Sequence, residues 1–440
     1  MSTVQETAIA GERRAVPTPG TRRSSARAWI RQPDVRAALT ATFALRLFTS
    51  AFAALIVSML HATFISVSVQ ADTQGQAAGL TIVPTSLHGV AQFLTTPWVR
   101  WDADVYVKIA EHGYAWYGST AFMPLYPALV HIGGLGLGGH YILASLILST
   151  AASFFMFLYL YRLVVRITGS VRVSRYTLAV SCLLPVAFFF MAPYTESLFL
   201  ALAFAATLAS LDGHWGRAAC CAIIASVTRQ QGVLLSLLAV PALWDAVVQA
   251  HRRNLPWRER TAVAWRQARR PLLLVAAAVG AYAVWIVCLT VIAGAPAPWQ
   301  VLTSSHGWRQ HFEIPGAGVF NDLRTIVQSP GHTLAYKMSL PLDVVAAFLG
   351  ALGLWLSRKR LPVGLLLFLL ACWCVALVKL EPTGWTNSAA RYLLVLLPVC
   401  IVPATWLANT RPSLRAAYIG FFVVVSCLYL TEWVLWSWVS

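Results

Sequence analysis

The chain has 440 residues, of which 58% are hydrophobic and 11% are charged, and its mean hydropathy is +0.66. This composition excludes an ordinary soluble domain of that length and indicates an all-α, polytopic membrane protein. The formal net charge of +17 does not indicate a nucleic-acid partner, because the basic residues fall between apolar segments. The eight cysteines lie inside apolar segments without zinc-ligand spacing, so we expect buried free thiols.

The first 36 residues are rich in Arg, Pro, Gly and Ser, a composition typical of a disordered basic tail. Residues 37–440 then read as a single membrane domain. Its first span covers roughly residues 37–60, and a long polar loop follows at 61–120.

That loop contains the run Arg-Trp-Asp-Ala-Asp-Val-Tyr-Val-Lys-Ile-Ala-Glu-His-Gly-Tyr at 100–114. We predict a short helix here, with Asp102 as its N-cap and Gly113 as its C-cap. Its apolar face comprises Val105, Tyr106, Ile109 and Ala110. Its opposite face comprises Asp104, Lys108, Glu111 and His112. Such a helix would lie at a membrane surface, apolar side down, with the Asp102 end at a cleft.

An interfacial helix is predicted at 122–137, after the polar loop. The apolar segments beyond it are predicted to be further membrane spans. They cover roughly residues 140–161, 174–192, 196–211, 218–244, 271–293, 339–356, 361–378, 391–408 and 416–436. The 218–244 stretch is interrupted at Thr228-Arg-Gln-Gln-Gly232, so it reads as two short helices that meet at Arg229. We expect a bundle of about 11 membrane helices with a second large outer loop at 294–338.

Topology follows from the basic loops at 162–175, 252–270, 358–360 and 411–415, which the positive-inside rule assigns to the cytoplasm together with the N-terminus. The run at 100–114 and the second large loop then share the outer face. The absence of a retention signal and the short loops favour a bacterial plasma membrane, with the site facing outward.

The run at 100–114 resembles the signature of the phosphatidylinositol-glycan class V (PIG-V) mannosyltransferases, which reads Trp-Asp-Ala-Glu, an aromatic residue, then Ile-Ala-Glu-His-Gly-Tyr. Asp104 stands where many members have Glu. The segment Ala121-Phe-Met-Pro-Leu-Tyr-Pro127 is similar to the element that follows this signature in the family. Weaker similarity recurs at Thr228-Arg229, where Gln230 replaces the family's Pro, at His306-Gly-Trp308 and at Arg391-Tyr392.

The resemblance implies a GT-C-type membrane glycosyltransferase that moves mannose from a polyprenyl-phosphate donor to an acceptor hydroxyl, with inversion and without a metal. Asp102 would be the general base, and Asp104 is the second candidate. The reading from the residues alone is that Asp102 caps a helix. The Asp102-Ala-Asp104 spacing would also suit a divalent metal, although no cofactor is expected.

Arg229 and Arg391 are the candidates for holding the donor phosphate. Arg229 has the alternative role of neutralising Glu196, and Arg391 that of an interface anchor. The other candidate substrate- or donor-binding residues are Trp101, Glu111, His112, Tyr126, Glu196, His306, Trp308 and Tyr392.

The partners implied are the lipid bilayer, the polyprenyl-phosphate sugar donor, and a glycolipid, glycan or protein as acceptor. The alternative function is a flippase or transporter of lipid-linked sugars. A transporter more often shows paired broken helices, and the sequence indicates a single break.

Overall fold

Helices make up almost all of the regular structure in the computed structural model, which describes residues 30–66, 89, 93–252, 256–328, 338–386, 388–437 and 439. Most of the predicted basic tail lies outside the described residues, as do residues 67–88 and 90–92 of the first loop and 329–337 of the second.

Seven helices have both ends within the described residues of the first half of the chain. They are α1 Pro33–Met59, α2 Asp102–His112, α3 Leu125–Gly136, α4 Tyr141–Thr168, α5 Val171–Cys182, α6 Glu196–Leu211 and α7 Trp215–Ser226. Helix α4 packs against α1, α3, α5 and α6, so it is the central helix of this half. Short 3-10 turns occur at Thr96–Trp98, Tyr117–Ala121 and Ala187–Phe190.

The second half contains the remaining helices and one pair of two-residue strands. They are α8 Val240–Arg252, α9 Trp257–Val287, α10 Pro298–Thr303, β1 His311–Phe312, α11 Ala317–Gln328, α12 Ser339–Ser357, α13 Val363–Val378, β2 Lys379–Leu380, α14 Ala389–Tyr392, α15 Ile401–Asn409 and α16 Pro412–Val434. Longer 3-10 segments occupy Gln230–Ala239 and Leu393–Cys400, and a π-turn at Cys288–Ile292 extends α9. Strands β1 and β2 pair antiparallel.

Seven helical segments of the described chain are long and apolar enough to cross a bilayer. They are Pro33–Met59, Tyr141–Thr168, Gln230–Arg252, Trp257–Ile292, Ser339–Ser357, Ala389–Asn409 and Pro412–Val434. Four shorter apolar helices accompany them: α3, α6, α7 and α13. Many large apolar side chains on these helices are exposed, as expected for surfaces that face lipid. The predicted all-α, multi-pass membrane fold is confirmed.

Two expectations about the apolar segments are wrong in detail. The 174–192 stretch is not one helix: α5 ends at Cys182, and a buried 3-10 turn follows near Pro185 because proline interrupts helical hydrogen bonding. The cysteines are free, but only Cys372 and Cys400 are buried in the protein, and Cys220 is exposed. An apolar membrane helix turns one side to lipid, so membership of a span does not imply burial within the protein.

The predicted break at Arg229 is confirmed, and the structure adds a second one. Helix α7 ends at Ser226, the backbone at Arg229 is extended, and the chain continues as the 3-10 segment Gln230–Ala239. A Cβ atom on Gly232 would clash with the backbone of Ser226, so the break depends on this close approach. A similar 3-10 segment follows Tyr392, which means that two membrane segments, rather than the single one predicted, are irregular beside an arginine.

Arginines of two predicted basic loops, 162–175 and 411–415, lie at the same end of the bundle. Arg162 near the end of α4 pairs with Asp34 at the start of α1, at 2.7 Å. Arg166 pairs with Asp212 after α6, at 3.3 Å. Arg415 at the start of α16 donates to the Tyr176 hydroxyl on α5, at 2.8 Å. These contacts tie several helix ends together through charged groups.

Replacing Gly232 by Ala should destabilise the protein by about 1–3 kcal/mol, because the new methyl group cannot enter the contact with Ser226 without moving backbone. Gly216 on α7 is the matched control, since a Cβ atom there meets open space. The measurement is thermal unfolding of both variants in detergent. Equal unfolding temperatures for Gly232→Ala and wild type would contradict the close packing at the break.

Candidate active site

A cavity of about 280 Å³ opens where the N-terminal ends of α2 and α6, the break at 228–231, and the C-terminal ends of α13 and α14 meet. The loop between α10 and β1 closes one side. Six of the residues singled out in the sequence line this cavity: Asp102, Glu196, Arg229, Trp308, Arg391 and Tyr392. Residues separated by almost 300 positions therefore converge on one space.

Asp102 is brought to the cavity by an unusual turn before α2. Trp101 has φ 55° and ψ −123°, a conformation that costs a non-glycine residue energy and persists only where its surroundings enforce it. Arg100 enforces it from one side: it is buried, it donates to the carbonyl of Thr96 at 2.9 Å, and it stacks over Trp436 at 4.4 Å. Burial lowers the pKa of Arg100 to about 9, so the guanidinium stays charged at neutral pH.

The N-cap prediction for Asp102 is wrong. The helix begins at Asp102 itself, and Trp101 occupies the cap position without a side-chain capping hydrogen bond. The Asp102 carboxylate is instead paired with Arg391, with Oδ2 at 2.8 Å from Nη1. Its side chain remains 16% exposed, which leaves it accessible from the cavity. The Asp102 carboxylate therefore binds a distant arginine and not the backbone N–H groups at the start of its own helix.

The faces of α2 agree with the sequence in part. Gly113 ends the helix with φ 72°, as predicted for a C-cap. The predicted apolar face is buried, with Tyr106 and Ile109 packed in one cluster with α3. The opposite face, which was expected to be exposed, is partly covered, because Asp104 and Lys108 are also buried. The Lys108 ammonium lies 4.9 Å from the Trp116 ring centroid, so the loop after α2 covers this face.

Glu196 connects the two arginines of the cavity. Its Oε1 lies 2.6 Å from Arg229 Nη1 and 3.5 Å from Arg391 Nε. Arg229 also donates to Thr195 Oγ1 at 2.9 Å and to Gln231 Oε1 at 3.3 Å. All three charged side chains are largely buried, with side-chain exposures of 4% for Glu196, 11% for Arg229 and 5% for Arg391. With Asp102, they form a charge-balanced cluster of two carboxylates and two guanidinium groups.

Aromatic rings surround this cluster. The Arg391 guanidinium lies 5.2 Å from the Tyr194 ring and 4.9 Å from the Tyr392 ring. The Arg229 guanidinium lies 5.4 Å from the centroid of the same Tyr392 ring. Such rings stabilise cations without adding charge. Trp308 extends the aromatic wall and is held in place by its indole N–H, which donates to the Gly118 carbonyl at 3.3 Å.

The remaining candidates lie away from the cavity. Trp101 packs edge-on against Trp436 at 5.7 Å, and Tyr126 lies behind Tyr106, where its hydroxyl contacts Ser149 at 2.8 Å. The other residues that do not line the cavity are Asp104, Glu111, His112 and His306. Glu111, His112 and His306 are exposed.

The Asp-x-Asp spacing does not create a paired site, because Asp102 lines the cavity and Asp104 does not. Among the described residues, no group of three or more His, Cys, Asp or Glu side chains is arranged for a metal ion.

Sequence reasoning missed several residues that line the cavity: Tyr106, Tyr194, Thr195, Gln230, Gln231, Gln310 and Lys379. Tyr106 was assigned to the apolar face, yet its hydroxyl reaches Thr195 Oγ1 at 3.4 Å. Burial raises the pKa of Tyr106 well above its ordinary value, so the phenol stays protonated. Lys379 follows an apolar span, and a lysine there resembles an ordinary membrane-interface residue.

The sequence profile of the family Mannosyltransferase (PIG-V) matches residues 45–251, a range that includes Asp102, Glu196 and Arg229. The resemblance seen in the sequence is therefore confirmed over this range. Arg391, Tyr392 and Lys379 lie beyond it. None of the curated proteins matches the chain.

Two solved structures are similar in fold at low sequence identity. ArnT from Cupriavidus metallidurans bound to undecaprenyl phosphate has 12% identity and a TM-score of 0.43, with 86% of this chain and 64% of that chain covered. The archaeal oligosaccharyltransferase AglB from Archaeoglobus fulgidus, in complex with an inhibitory peptide and a dolichol-phosphate, has 12% identity and a TM-score of 0.40. That match covers 78% of this chain and 51% of AglB. The chain thus spans less than two thirds of either protein.

Replacing Glu196 by Gln should destabilise the protein by about 3–5 kcal/mol, because two buried guanidinium groups then share one remaining carboxylate. Asp212→Asn is the matched control: its pair with Arg166 is half exposed and should contribute at most about 1 kcal/mol. Denaturant or thermal unfolding in detergent measures both. A Glu196→Gln variant as stable as Asp212→Asn would show that the cluster does not depend on Glu196.

Proposed function

We infer that this chain, a membrane glycosyltransferase of the PIG-V-like mannosyltransferase family, transfers a mannosyl residue from a polyprenyl-phosphate donor to an acceptor hydroxyl. The observation that carries the proposal is the cavity, where an accessible carboxylate, Asp102, lies beside a cluster of cations. A transfer of this kind needs both: a base for the hydroxyl proton and positive charge for the departing phosphate.

In the proposed reaction, the acceptor oxygen attacks the anomeric carbon while Asp102 takes the hydroxyl proton. The bond from that carbon to the phosphate oxygen breaks, and its electron pair leaves with the phosphate. Attack from the side opposite the phosphate inverts the configuration at the anomeric carbon. Arg391 orients the Asp102 carboxylate through their 2.8 Å contact.

Positive charge for the phosphate is available within the cavity. Arg229, Arg391 and Lys379 all line it, which supports transfer without a metal ion. The aromatic wall of Trp308 and Tyr392 offers a surface on which a sugar ring can stack. The acceptor is a glycolipid, a glycan or a protein, since the cavity lining favours none of the three.

The orientation we propose places the cavity on the outer face of a bacterial plasma membrane and the N-terminus in the cytoplasm. The support is the separation of charge: the arginines that join α1, α4, α5 and α16 gather at one end of the bundle. Basic segments next to membrane helices are retained on the cytoplasmic side.

Transport of lipid-linked sugars is the second candidate function. The second irregular segment, Leu393–Cys400, favours it, because paired broken helices occur more often in transporters. The family match and the accessible Asp102 favour the enzyme. A carboxylate that serves only in transport has no need to be a base.

The first test replaces Asp102 by Asn, which keeps the size of the side chain and removes the base. Initial rates of mannosyl transfer at saturating polyprenyl-phosphate mannose should fall by about 10²–10⁴-fold. The loss of stability should be smaller than for Glu196→Gln, because Asp102 is the more exposed carboxylate and Arg391 retains Glu196 as its partner. Unfolding temperature is therefore measured alongside the rate.

Asp104→Asn is the control and should reduce the rate less, since Asp104 does not line the cavity. Normal turnover by Asp102→Asn with none by Asp104→Asn would assign the base to Asp104. Normal turnover by both variants would contradict base catalysis by this motif.

The second test addresses orientation. In a protein whose exposed Cys220 is replaced by Ser, Ser305→Cys should react with an impermeant maleimide added to intact cells. Ser413→Cys, beside Arg411 at the opposite end, should react only after permeabilisation. Both side chains are exposed, so access to the protein surface is matched. The reverse labelling pattern would overturn the proposed orientation.

A further inference from the structure

We propose that Lys379 and the Tyr392 hydroxyl form the anchor for the donor phosphate, and that Arg229 and Arg391 serve mainly to hold the carboxylates of the cavity. This assignment rests on the proposed function and gives its donor site a specific location. It differs from the expectation that the two arginines themselves bind the phosphate.

Charge balance is the first argument. Arg229 is paired with Glu196, and Arg391 is paired with both Glu196 and Asp102. Of the three cations that line the cavity, Lys379 is the one with no carboxylate within ion-pair distance among the described residues. The half-buried Lys379 ammonium therefore has no paired carboxylate, and its positive charge is available to an anionic group that enters the cavity.

Hydrogen-bond donors are the second argument. The Tyr392 hydroxyl oxygen accepts from Lys379 Nζ at 3.0 Å and from Arg391 Nη2 at 3.1 Å. Both acceptor positions of this oxygen are then filled, and its own O–H remains to donate. Lys379 has three N–H donors and uses one in this contact. This end of the cavity thus offers donors in excess of acceptors, which suits phosphate oxygens.

The backbone holds Lys379 in place. Lys379 begins β2 directly after α13 and pairs with Phe312 of β1. The amide of Glu313 donates to the carbonyl of Val378 at 3.0 Å, and this bond fixes the residue that precedes Lys379. A lysine on a paired strand loses less conformational freedom on binding than one on a loose loop.

The arrangement also separates the two tasks of the reaction. Three contacts, Asp102 to Arg391, Arg391 to Tyr392 and Tyr392 to Lys379, form one continuous chain. The base lies at one end of this chain and the proposed phosphate anchor at the other. A sugar attached to the phosphate would extend from the Lys379 end towards Asp102, which is the geometry that attack opposite the leaving group requires.

The experiment measures binding of a polyprenyl phosphate, and of the corresponding polyprenol, to the full-length protein in detergent. Wild type should prefer the phosphate. Lys379→Met keeps the length of the side chain and should weaken phosphate binding by about 10–100-fold, with polyprenol binding unchanged. Lys379→Arg should restore most of the preference. Tyr392→Phe, which keeps the ring and removes the O–H, should reduce it partially.

Arg324→Met is the matched control, because Arg324 is exposed on α11 and does not line the cavity. It should bind both lipids as wild type does. If wild type discriminates and Lys379→Met discriminates equally well, the phosphate anchor is overturned while the proposed function stands. If wild type itself binds both lipids alike, the polyprenyl-phosphate donor of the proposed function is wrong.

Discussion

The site depends on one buried carboxylate, Glu196, which contacts both arginines of the cavity. Two guanidinium groups this deeply buried are unfavourable unless anionic groups lie beside them. Glu196 supplies that charge at the first turn of α6, between the break that carries Arg229 and the helix that carries Arg391. Because Glu196 offsets part of the charge of both arginines, Arg391 can approach Asp102 while these four side chains together carry no net charge.

Irregular backbone positions Asp102, Arg229 and Arg391 in the cavity. Trp101 adopts a positive φ before Asp102, Arg229 is extended before a 3-10 segment, and Arg391 precedes another. A regular helix would direct its side chains around the helix axis, whereas these breaks point charged groups from three separate elements into one space. Non-helical backbone at membrane depth is tolerated where protein surrounds it. The close contact of Gly232 with Ser226 shows how tightly one such break is packed.

Several side chains of the site were predictable because their chemistry is rare in this sequence. A charged residue at a membrane-helix break is unfavourable, and this property singled out Arg229 and its partner Glu196. The same reasoning failed for Lys379, since a lysine at the end of a span resembles an interface residue, and for Tyr106, whose ring belongs to an apolar helix face. His112 and His306 carried suitable chemistry, but they lie exposed outside the cavity.

The sequence by itself determined the membrane class, the approximate spans, the short helix after Asp102 and the end of the bundle where basic residues gather. These properties follow from local composition and periodicity, which act within one segment. Only the tertiary structure decided that Asp102 binds Arg391 instead of capping its helix, that Asp104 is buried away from Asp102's cavity, and that Lys379 meets Tyr392. Those outcomes depend on contacts between distant segments, and no local pattern encodes the distance between two side chains on different helices.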